Sequence, residues 1–72
     1  MNPVYIPGRG IVSLEDGTAN LAREHVYQVE MRRRAGHTAD ADMTTRVLYR
    51  LIDERATMIA PEPESVRQLA TA

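Results

Sequence analysis

"VLYRLIDERATMIAPEP", residues 47–63, is the stretch on which the fold turns. Val47, Leu48, Leu51, Ile52, Met58 and Ile59 gather on one side of a helical wheel, and Ala41 continues that side upstream. Arg55 falls inside the stripe, where its aliphatic stem can lie on apolar surface while the guanidinium stays wet. Pro61 and Pro63 end the pattern, because proline has no N–H to donate and clashes with the preceding turn. The spacing predicts a helix over residues 38–60, roughly 33 Å long at the α-helical rise. Asp42–Arg46 and Arg50–Glu54 are i,i+4 ion pairs for its wet side.

Upstream, "MRRRAGHTADAD", residues 31–42, reads as one helix ending and the next beginning. Gly36 suits the left-handed residue that closes a helix. Thr38 is the expected N-cap of the second helix, and Asp40 falls in its first turn, where the helix dipole favours an anion. The first helix is expected over residues 14–36, with Ser13, Asp16 and Thr18 competing as its N-cap. Ala22, Val26 and Val29 share a face with Arg33, and Tyr27 and Met31 lie i,i+4 on a different one. A connection this short makes the two helices adjacent and antiparallel.

Residues 1–13 read as an extended arm or a small hairpin of Val4–Ile6 with Ile11–Ser13. Pro7-Gly8 fits the centre of a type II turn, since proline presets φ and glycine accepts a positive one. Residues 61–72 read as a proline-separated tail or short helix, with Pro63 at its first position and Val66, Leu69 and Ala70 apolar. The expected fold is therefore a single, mainly all-α domain over 1–72. It is an antiparallel two-helix hairpin with an N-terminal arm or hairpin and a short C-terminal helix. The expected core is Val26, Val29, Val47, Leu48, Leu51, Ile52 and Ile59.

Seventy-two residues without Phe, Trp or Cys make a thin core. The lack of cysteine excludes a disulfide scaffold, thiol catalysis and the usual zinc fingers. No apolar run of about 18 residues suggests a membrane span. "MNPVYIPGRG", residues 1–10, lacks the basic and apolar regions of a secretory signal, so a cytoplasmic place, or one within a virion or assembly, is expected. All nine basic residues are Arg, and the net charge of −1 argues against a dedicated polyanion binder.

Chemistry is sparse. His25 and His37 are the only imidazoles, and neither has a nucleophile at a telling spacing. His37, Asp40 and Asp42 could be drawn as a metal site, yet His, Thr and Asp at a helix start are what capping alone produces. Gly8 and Gly10 lack the lysine and third glycine of a phosphate loop. No catalytic, metal or cofactor residue is assigned. Arg32-Arg33-Arg34 and Arg9 support an alternative, a small DNA-binding regulator, but Asp40 and Asp42 would repel a duplex. A strand followed by two helices loosely resembles a ribbon-helix-helix regulator. That likeness fails at "PGRG", residues 7–10, and at the length of the first helix.

The sequence points instead to a small non-enzymatic protein–protein interaction module. It would self-associate or dock into a larger assembly, as a phage or mobile-element accessory protein or a modulator of a host protein would. Tyr5, Ile6, Tyr27, Met31, Arg32, Arg34 and Tyr49 are the expected partner-binding residues, since Tyr, Met and Arg suit interfaces.

Overall fold

A computed structural model describes residues 1–63. The chain begins with two strands, β1 (Asn2–Ile6) and β2 (Gly10–Leu14), paired antiparallel with Val4 opposite Val12. Pro7-Gly8 makes the turn between them. The Arg9 amide donates to the Ile6 carbonyl at 2.9 Å, and Gly8 takes a φ of 86°. Val4, Ile6, Val12 and Leu14 point inward, while Tyr5 and Ile11 alternate outward.

Helix α1 spans Asp16–Arg34. Ser13 lies in β2 rather than capping it, and Glu15 takes the cap position without a side-chain bond. Its C-terminus is closed as the glycine demands. Gly36, at φ 82°, donates to the Arg33 carbonyl at 3.0 Å, and the His37 amide reaches the Arg32 carbonyl at 2.8 Å. Helix α2 follows at once over Thr38–Arg55, with His37 rather than Thr38 as its N-cap.

The expected continuation of α2 to Ala60 does not occur. Thr57–Pro61 forms a third strand, β3, antiparallel to β2, and the sheet order is β1-β2-β3. The fold is therefore α+β and not mainly all-α. Two local causes favour the strand. Thr57 and Ile59 are β-branched, and a residue before proline, here Ala60, is pushed out of the helical region. One tertiary cause completes it, because β2 would otherwise leave its second edge unpaired. The short C-terminal helix expected around Val66, Leu69 and Ala70 lies outside the described residues.

Both helices pack on one face of the sheet, with α1 over β1 and β2. The core joins Val4, Ile6, Val12 and Leu14 to Ala19 and Ala22 of α1 and to Leu48 and Ile52 of α2. Ala41, Thr44, Leu48 and Ile52 form the buried line of α2. Val26, Val29 and Leu51 are half-buried. Val47 and Ile59, expected in the core, are instead 52% and 55% exposed. Val47 is turned about 100° from Leu48, out of the buried line. Ile59 belongs to a strand that no helix covers.

Candidate interaction surface

The arginine run is occupied internally. Arg32 donates to the Thr44 hydroxyl across the helix pair, and that hydroxyl donates in turn to the Asp40 carbonyl at 2.9 Å. Arg33 pairs with Asp42 at 3.1 Å and Arg34 with Glu30 at 2.6 Å. Arg32 is thus half-buried against α2, whereas Arg34 stays exposed beside Glu30. Arg50–Glu54 forms at 3.2 Å as its spacing suggests.

Neither histidine bonds a hydroxyl among the described residues. The His25 Nδ1–H donates to the Leu21 carbonyl at 2.8 Å, a bond within its own helix. His25 lines a groove of about 410 Å³ between α1 and α2, with Gln28, Arg32, Asp40, Met43, Thr44 and Val47. His37 lies 4.0 Å from Asp40, whereas Asp42 is taken by Arg33. Among the described residues, no three His, Cys, Asp or Glu side chains gather to hold a metal. No helix among them is long and apolar enough to cross a membrane.

The hairpin tip is fastened from two sides. The Tyr49 hydroxyl donates to the Pro7 carbonyl at 2.8 Å, and the Arg9 guanidinium lies 4.4 Å from the Tyr49 ring centroid. Arg9 also pairs with Asp53 at 3.2 Å. On the other side Glu62, a buried carboxylate, accepts from the Gly8 amide at 2.5 Å and from the Tyr5 hydroxyl at 3.2 Å. Partial burial of that hydroxyl, together with the adjacent Glu62 charge, pushes the Tyr5 phenol above its ordinary value. A Cβ at Gly8 would overlap the Tyr49 hydroxyl, and one at Gly10 would overlap the Ala60 carbonyl. These glycines serve close packing, and Tyr49 is a clamp before it is a contact for others.

Of the residues expected to meet a partner, Tyr5, Tyr27 and Met31 present exposed apolar surface, whereas Ile6 is fully buried. Ile6 follows from the strand's alternation: with Val4 inside and Tyr5 outside, Ile6 must face in. The structure adds apolar residues that the helical reading had placed elsewhere or passed over. Leu21, Met43 and Val47 are exposed on the helix pair, and Met58 and Ile59 are exposed on β3.

The two edges of the sheet differ in what they offer. In a strand, a residue's nitrogen and carbonyl oxygen point to the same side. The Pro3 carbonyl is bonded by the Arg23 guanidinium at 3.4 Å, so Pro3 meets the open side of β1 with no donor and an acceptor already taken. Asn2 beside it is bonded to Asp16. β3 also carries a proline, Pro61, which offers no donor, but among the described residues no side chain bonds its outer side. No charged residue lies between Ala56 and Pro61, and among the described residues nothing pairs with its outer side. A bulge sets Ile59 apart from the Ile11–Ala60 and Val12–Met58 pairs. Beneath it a notch of about 200 Å³ is lined by Val12, Ile52, Ala56 and Met58, with the Arg9–Asp53 pair also on its wall. The sequence carried a signal for this surface: two β-branched residues, Thr57 and Ile59, ahead of a proline.

No protein-family model, curated protein or solved structure matches this chain.

Proposed function

We propose that this chain is a small, non-enzymatic protein–protein interaction module that self-associates or docks into a larger assembly. The observation that carries this is β3, an uncharged edge strand whose Met58 and Ile59 stay half or more exposed. An open edge bearing apolar side chains is a template for another chain. Leu21, Met43 and Val47 on the helix pair, and Tyr27 with Met31 on α1, add apolar surface of the same kind.

Sedimentation with circular dichroism over a dilution series tests this. The expected result is a mass above the 8.1 kDa of one chain that falls on dilution. A mass that stays at one chain throughout, with an unchanged helical signal, would overturn self-association.

A further inference from the structure

The helices outrun the sheet. α1 starts two residues after β2 ends and turns back along it. Its 19 residues span about 28 Å, against about 17 Å for a five-residue strand. The last turns of α1 and the start of α2 therefore pass beyond the hairpin tip. Over the sheet, the underside of the helix pair is closed by Val4, Ile6, Val12 and Leu14. Past the tip lies an apolar cleft of about 440 Å³, walled by Val26 and Val29 of α1, Leu48 and Tyr49 of α2, and Pro7. Its charged rim is already paired, Arg33 with Asp42 and Glu30 with Arg34. What the cleft lacks is apolar cover.

The chain leaves β3 at the mouth of this cleft. β3 runs in the same direction as β1, since both are antiparallel to β2, and so it heads toward the tip. Pro61 lies opposite Gly10, and Glu62 accepts from the Gly8 amide, one residue from Pro7. We infer that the chain's own next segment, with Val66 and Leu69 foremost, covers the cleft. Residues 64–72 lie outside the described residues, but their sequence and their point of departure are fixed. Val66, Leu69 and Ala70 fall at i, i+3 and i+4, the spacing of one apolar face. Leu69 is six residues beyond Pro63, at most about 20 Å of chain and enough to pass under the overhang. A tether this short holds the segment at an effective concentration of about millimolar. A second copy or a foreign chain competes only near that level.

The chain has no cysteine, so paired cysteines report the contact directly. V29C with L69C is oxidised in the full chain. The control pair is V47C with L69C, because Val47 lines the other groove of the helix pair, beside His25. Within one chain, the first pair should close at least about tenfold faster than the second. As an independent reading, L69A in the full chain should shift the methyl resonances of Val26 and Val29 and leave those of Val4 in place. Equal closure rates for the two pairs, or Val26 and Val29 methyls that do not move in L69A, overturn the inference. Disulfides that join two chains instead of closing one would give the cleft to a second copy's segment, which overturns it as well. Self-association through β3 is read separately, by the dilution series, and does not decide this result.

Discussion

β1 and β3 flank the same central strand and are five residues long each, yet they are held in opposite ways. β1 buries Val4 and Ile6, and at Pro3 its outer edge has no donor and a carbonyl bonded by Arg23. β3 buries no side chain fully. It is held by backbone pairing with β2 and by Glu62, which follows it and ties to Gly8 and Tyr5. A strand fixed by its side chains can close its edge; one fixed mainly by its backbone leaves side chains and edge groups for another use. That difference is what supports placing the proposed interaction on β3.

The largest test of the contrast is a matched pair of truncations. Ile6→Ala removes a fully buried side chain and should cost about 2–5 kcal/mol in urea unfolding. Ile59→Ala, measured at a concentration where only single chains are present, should stay within about 0.5 kcal/mol. Equal costs would mean that β3 belongs to the core and that the contrast is false. Gly10→Ala comes next. Gly10 sits at φ 107°, against the Ala60 carbonyl, so the added methyl both strains the backbone and pushes β3 away from β2. A loss of about 1–3 kcal/mol is expected. In hydrogen exchange, the β3 amides should lose protection before those of β1.

Opening the closed edge sharpens the comparison from the other side. The double variant Pro3→Val, Arg23→Ala returns a donor and an unoccupied acceptor to β1. A chain with two open edges can add copies without closing, so its mass by light scattering should keep climbing with concentration where the wild type's levels off. Unchanged scattering would show that Pro3 and Arg23 do not guard the edge.

Much of this architecture is legible in the sequence wherever the cause is local. The turn at Pro7-Gly8, the stop at Gly36 and the pairs Arg34–Glu30 and Arg50–Glu54 each follow from a few adjacent residues. β3 does not. Met58 and Ile59 continue the helical stripe of α2 so well that periodicity favours a longer helix, and what competes with it is an open edge on β2, far off in the chain. Without β3 nothing takes Ile59 off the helical stripe, whereas Ile6 faces in by the alternation of β1 alone. Arg32 was out of reach for the same kind of cause, since its partner Thr44 comes beside it only when the helices fold together.

The smallest expected effect concerns the bond that ties β1 to the residue following β3. Tyr5 leaves β1 on the outer face and donates to Glu62, just past the end of β3. Partial burial and the Glu62 charge raise the Tyr5 phenol, so the folded chain holds that proton more tightly than the unfolded chain does. The stability from this difference is fully present below the unfolded value of about 10 and is lost as pH climbs from there through the folded value. Tyr5→Phe keeps the ring and removes both the bond and the titration. At neutral pH it should cost only about 0.5 kcal/mol, because the site is half exposed. Above pH about 10 the two proteins should converge in urea midpoint, as the wild type gives up what the variant never had. A gap that persists undiminished at high pH would mean that the Tyr5 hydroxyl does not hold β1 to the end of β3.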